Sequence, residues 1–147
     1  MSGIYKEHGQ KVIEAEGGLG EVWISGSHFA KDLKELEKNK INAICTAAEI
    51  DFKYPEGFKH RVLHMEDTYD QDISFAFVPA FDFIERNRKE GNVLVHCTSG
   101  ISRSAALLVA YMMQKYSIGF DKSLESVRNM RPCAEPNGSF INQLTEF

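Results

Sequence analysis

The chain has little cysteine, no long apolar run and no surplus of positive charge, and each lack excludes something. Only Cys45, Cys97 and Cys133 occur in 147 residues, far apart and with no C-x-x-C pair. That excludes a disulfide framework and a cysteine zinc site, and it fits a reducing compartment. No stretch approaches the roughly 20 apolar residues of a membrane span, and no secretory signal opens the sequence. Glycine is the third residue rather than the second and no cysteine lies near the C-terminus, so no lipid anchor is expected. The formal net charge of −4 gives no basic stripe for nucleic acid. Internal repeats and low-complexity linkers are also missing.

What is present fits one globular domain. Apolar residues make up 43% and charged residues 26%, enough to bury a core at this length. The expected organisation is a single domain over 1–147, with 1–20 as an N-terminal arm. Strands are expected at Val22–Ser25, Ile41–Cys45, Arg61–His64 and Val93–Val95. Helices are expected at Phe29–Lys38, from an Asp72 cap to about Lys89, from about Arg103 through Met113, from an Asp121 cap to Met130, and over Asn137–Phe147. Arg86, Arg88 and Lys89 read as macrodipole complementation on a solvated helix end. Lys53, Lys59, His60 and Arg61 read as a solvated basic turn. Strands alternating with helices imply an α/β fold, a largely parallel central sheet with helices on both sides.

The stretch His96-Cys97-Thr98-Ser99-Gly100-Ile101-Ser102-Arg103-Ser104 lies between a buried strand and a core helix. Open α/β sheets bind ligands at the carboxyl ends of their strands, and a helix N-terminus there favours an anion. Gly100 allows close backbone approach. Arg103 offers a planar fork for two phosphoryl oxygens. The Walker pattern is not met, because Ile101 stands where its lysine would be. Cys97 would lie at the bottom of the anion cradle, a setting that lowers a cysteine pKa from about 8.5 to roughly 3.5–7.5. A thiolate facing phosphorus is a nucleophile, and a phosphocysteine intermediate is the expected product. His96 would hold the loop and tune Cys97, and Ser104 would donate to the sulfur as it leaves.

His-Cys, five residues, Arg-Ser resembles the signature of the cysteine-dependent protein tyrosine phosphatases. VLVHCTSGISRSAALLVAYMM and Pro136-Asn137-Gly138-Ser139-Phe140 are most similar to the dual-specificity branch, in its small atypical form, with a likeness running from about Val22 to Leu144. The resemblance implies a phosphatase acting on phosphotyrosine and phosphoserine or phosphothreonine in proteins. It implies a phosphate loop of Thr98, Ser99, Gly100, Ile101, Ser102 and Arg103, no metal and no cofactor. It also implies an aspartate acid about thirty residues before the cysteine. Asp67 matches, with Asp70 in reserve and Asp72 better read as a helix cap. Asn137 matches an asparagine that supports the phosphate loop. Cys45 matches the place of a redox partner to the nucleophile in some relatives, although a buried core cysteine is the favoured reading.

The expected partners are phosphorylated proteins, without nucleic acid or membrane, in the cytoplasm or the nucleus. The competing readings are a phosphatase of phosphoinositides or RNA 5′-triphosphates, and a phosphate-binding module without turnover. A loop free of lysine and a chain free of a basic stripe weigh against the first. The complete nucleophile and acid set weighs against the second.

Overall fold

The computed structural model describes residues 7–49 and 52–147. Five strands form one sheet: β1 (Gln10–Ile13), β2 (Val22–Ser25), β3 (Ile41–Ala47), β4 (Lys59–Leu63) and β5 (Asn92–His96). Their order is β1-β2-β5-β3-β4, and only the β1–β2 pair is antiparallel. Among the described residues six helices accompany them: α1 (Ser27–Ala30), α2 (Leu33–Lys38), α3 (Ser74–Arg88), α4 (Arg103–Tyr116), α5 (Phe120–Met130) and α6 (Gly138–Thr145). The expected α/β architecture is the one observed.

The central strand β5 shows why the sheet needs cover on both sides. Val93 and Val95 join the core beneath α3 to α6, whereas Leu94 joins a second cluster with Phe29, Leu36 and Ile44 beneath α1 and α2. Side chains of a strand alternate between faces, so a continuous apolar run demands two apolar layers. α4 is apolar almost all round and its residues Arg103 to Met112 are all buried. It is therefore the core helix that fixes the loop preceding it.

Several local expectations are corrected. The helix over Phe29–Lys38 is two helices, because Asp32 takes an extended conformation and its side chain caps α2 by accepting from Glu35 N–H. The cap of α5 is Gly119, and Asp121 lies inside the first turn, where a carboxylate still suits the dipole. α3 starts one residue later than a cap at Asp72 would put it. The Asp72 carboxylate instead accepts from both the N–H and the hydroxyl of Ser74, which holds its pKa below the usual range. The basic cluster is not one turn, since Lys59, His60 and Arg61 belong to β4 and His60 is half-buried.

The described part of the N-terminal arm, residues 7–20, is built into the fold. Gln10–Ile13 pairs with β2 and extends the sheet. Arg88, expected on a solvated surface, is 1% exposed. Its Nε donates to Gly20 O at 2.6 Å, Nη1 to Tyr111 Oη at 2.8 Å and Nη2 to Glu14 O at 3.3 Å, and Glu16 lies 3.6 Å away as its ion partner. Gly20 is required at this crossing, because a Cβ there would lie 1.9 Å from Gly91 O. One buried guanidinium thus fastens the arm to α3 and α4. Arg88→Ala is expected to leave the Gly20 and Glu14 carbonyls and the Tyr111 hydroxyl without this donor and to cost about 3 kcal/mol. A urea midpoint unchanged from wild type would show that the arm is held by other contacts.

Candidate active site

β5 ends at His96 and α4 begins at Arg103, and residues 97–102 turn between them at the carboxyl edge of the sheet. Every carbonyl of this turn is drawn outward by a named donor. His96 Nδ1 reaches Cys97 O at 3.3 Å. Ser27 gives its backbone N–H to Thr98 O at 2.8 Å and its hydroxyl to the same oxygen at 3.1 Å. Arg131 donates from Nη2 to Ser99 O at 3.1 Å and from Nε to Gly100 O at 2.8 Å. Glu135 N–H donates to Ile101 O at 2.7 Å, and Ala106 N–H to Ser102 O at 2.9 Å. A peptide unit whose carbonyl points outward presents its N–H inward. The N–H groups of Thr98, Ser99, Ile101 and Ser102 form no hydrogen bond among the described residues. Together with the N-terminus of α4 they make an anion cradle.

Cys97 is 1% exposed. Its Sγ accepts from Gly100 N–H at 3.2 Å and lies 3.1 Å from Ser104 Oγ. Gly100 has φ +71, and a Cβ there would meet Arg131 Nη2 at 2.5 Å and the Ser25 backbone at 2.6 Å. Only glycine lets the chain turn its N–H onto the sulfur at this place.

Arg103 is held with its fork across the loop. Nη2 donates to Thr98 Oγ1 at 3.1 Å, and Nη1 to Met65 O at 3.1 Å and Glu49 Oε1 at 3.3 Å. Its Nε is buried with no partner among the described residues, a donor suited to a ligand oxygen.

Asp67 is exposed on the loop between β4 and α3, and Oδ1 accepts from Asn137 Nδ2 at 2.9 Å. Asn137 joins three parts of the site. Its backbone N–H donates to Ser102 Oγ at 3.0 Å, Nδ2 also reaches Thr68 O at 3.2 Å, and Oδ1 caps α6 by accepting from Phe140 N–H. Asp70 is turned toward Thr68 Oγ1, 2.7 Å away. The structure therefore couples Asp67, rather than Asp70, to the phosphate loop through one residue, the side chain of Asn137 holding Asp67 and its backbone N–H holding Ser102.

His96 touches the Cys97 carbonyl rather than the sulfur. Its other nitrogen, Nε2, lies 2.7 Å from Thr46 Oγ1. Burial pushes its pKa down to about 4, against a smaller opposing effect of the backbone bond. The ring is thus neutral in the native protein near pH 7, and the unfolded chain binds a proton near pH 6.5 that the native chain refuses. Stability contributed this way is complete above pH 6.5 and is lost as pH falls toward 4. Wild type is expected to lose up to about 3 kcal/mol more than His96→Asn over that window. Denaturation curves of the two proteins that fall in parallel would remove His96 as the cause.

Cys45 does not end its strand. It lies within β3, paired with Val95, on the face that also carries Cys97. It is fully buried and free, and burial pushes its thiol up to about 12. This packing supports the core reading, because thiol exchange needs the thiolate. Iodoacetamide at pH 8 is expected to leave Cys45 unlabelled until the protein unfolds. Labelling of native protein at Cys45, read by peptide mass, would reverse that assignment.

Arg131, Ser27, Glu49 and Thr46 are site residues that the sequence did not reveal. Arg131 is 0% exposed and also donates to His8 O and to Gln10 Oε1. In the sequence it is only a cation after a helix and before Pro132. Among the described residues no group of three or more His, Cys, Asp or Glu is placed to hold a metal ion.

A thiol ringed by inward N–H groups, an arginine fork and a nearby carboxyl together define a cysteine-dependent phosphatase site. Residues 22–147 match the model of the dual specificity phosphatase catalytic domain. The chain belongs to that family. It is 34% identical to dual specificity protein phosphatase 1B of Arabidopsis thaliana, over 100% of this chain and 92% of that protein. It is 35% identical to dual specificity protein phosphatase 22 of Mus musculus, over 88% of this chain and 71% of that protein. The crystal structure of DUSP15 superposes with a TM-score of 0.84 at 32% identity, covering 91% of this chain and 85% of that one. Other curated relatives are longer, and the chain spans between 12% and 63% of their length. The chain is accordingly a cysteine-dependent protein phosphatase, its substrates are phosphorylated proteins, and the phosphocysteine route is general to its family. Among the described residues no helix is long and apolar enough to cross a membrane.

Proposed function

We propose that this single-domain chain hydrolyses phosphotyrosine and phosphoserine or phosphothreonine in proteins, with Cys97 as nucleophile and Asp67 as acid and base. The observation that carries the reading is the sulfur of Cys97 between Gly100 N–H and Ser104 Oγ, at the floor of a loop whose carbonyls all face away. The thiolate attacks phosphorus, an S–P bond forms and the P–O bond breaks. Asp67, as the carboxylic acid, gives its proton to the leaving oxygen. Water then attacks phosphorus, Asp67 takes a proton from it, and the S–P bond breaks to release inorganic phosphate. Ser104 donates to the departing sulfur. Thr98, Ser99, Ile101 and Ser102 N–H groups and the Arg103 fork hold the equatorial oxygens as charge builds.

Asn137 keeps Asp67 beside this loop. The action needs no metal and no cofactor in this scheme, and it uses neither nucleic acid nor a lipid surface. The cytoplasm or nucleus supplies the reducing conditions that a thiolate nucleophile requires.

The test is turnover of phosphotyrosine and phosphothreonine peptides in EDTA. Wild type is expected to act on both, and Cys97→Ser on neither. Asp67→Asn is expected to lower kcat/KM, which reports the P–O cleavage step, about 10²–10⁴-fold on peptides, and much less on an aryl phosphate with a good leaving group. An equal loss on both substrates would remove Asp67 as the proton donor, and turnover of phosphotyrosine alone would remove the dual specificity.

A further inference from the structure

Behind the nucleophile loop a line of hydrogen bonds runs across three strands. His96 on β5, Thr46 on β3 and His60 on β4 are neighbours in the sheet, since Thr46 pairs with His96 and β4 lies on the far side of β3. Thr46 Oγ1 lies 2.7 Å from His96 Nε2 and 2.8 Å from His60 Nε2. Thr46 and His96 are both 0% exposed. A hydroxyl between two imidazole nitrogens has two ways to direct its proton, and one carbonyl decides between them.

Cys97 O can only accept, so His96 Nδ1, 3.3 Å away, carries the hydrogen. The buried ring holds one proton, which leaves Nε2 as a lone pair. Thr46 Oγ1–H must then donate to His96 Nε2. The hydroxyl's own hydrogen is committed, so Oγ1 accepts from His60 Nε2–H. The chain has one direction: His60 to Thr46 to His96 to the carbonyl of the nucleophile residue. Aromatic edges hold both rings. Phe52 meets His96 at 4.7 Å and Tyr54 meets His60 at 4.8 Å, both at 77°. The Tyr54 hydroxyl is itself fixed on Ala30 O at 2.6 Å.

We infer that His60 is a positioning residue of the active site, acting through Thr46 and His96 to hold the Cys97 peptide with its carbonyl outward. Its donor orients and polarises the Thr46 hydroxyl, which sets the tautomer of His96. That tautomer supplies the donor for Cys97 O, and the outward carbonyl keeps the next N–H, of Thr98, directed into the cradle. The inference rests on Cys97 being the nucleophile only for its consequence in catalysis.

Glutamine places an N–H donor where His60 Nε2 stands, and leucine places none. His60→Leu is expected to lower kcat about 3- to 10-fold with KM little changed, and His60→Gln to restore it. Thr46→Val, which leaves His96 Nε2 without a donor, is expected to lower kcat at least as far, and Thr46→Ser to restore it. Nitrogen-15 spectra of the free protein read the chain without turnover. His96 is expected to be protonated at Nδ1, with Nε2 shifting in His60→Leu and returning in His60→Gln. His96 protonated at Nε2, or a His60→Leu protein with unchanged kcat and unchanged His96 nitrogens, would overturn the inference. An inactive wild type with the expected spectra would sink the nucleophile assignment instead and leave the chain standing.

Discussion

The rest of the site depends on where six carbonyls point. Residues 97–102 have no regular partner strand and no helix of their own, so their peptide units could face either way. Donors from the Ser27 turn, Arg131, Glu135, His96 and the first turn of α4 claim each oxygen from outside. Buried peptide groups left unpaired are costly, so satisfying the oxygens outward decides the inward face as well. The cradle is made by constraining its back.

That constraint distributes the active site over the whole chain. Ser27 comes from the crossover after β2, Arg131 from the end of α5, and Glu135 and Asn137 from the segment before α6. Arg131 reaches His8 and Gln10 as well, so the start of the sheet and the phosphate loop share one guanidinium. Arg88 does the same at the other end of the arm by tying Glu14, Glu16 and Gly20 to Tyr111 of α4. Both arginines are buried, and both replace what would otherwise be unpaired backbone carbonyls with charge-assisted bonds.

Much of the fold was legible because its signals are local. Val93-Leu94-Val95 reads as a strand covered on both faces, and Ala105–Met113 as a core helix, since periodicity is a property of neighbours in the chain. Boundaries were less legible. Asp32 and Asp121 have the same side chain and only Asp32 is a cap, because the choice depends on which residue takes the extended backbone. Arg88 was misread for a related reason. A cation in the last turn of a helix has the same sequence signature whether it faces water or the core.

The sequence alone determined the chemistry: a cysteine and an arginine with five residues between them, between a buried strand and a core helix, with a carboxylate loop ahead of them. Those residues lie close in the chain, and their spacing already sets which groups can meet one phosphoryl group. Tertiary structure decided the rest: which aspartate lies beside the loop, which donors hold its carbonyls, and that His96 faces Thr46 and a backbone oxygen rather than the sulfur. These are contacts between residues up to 123 positions apart, as between His8 and Arg131. Chain spacing carries no information about such pairs; the packing of α4 and α5 on the sheet brings them together.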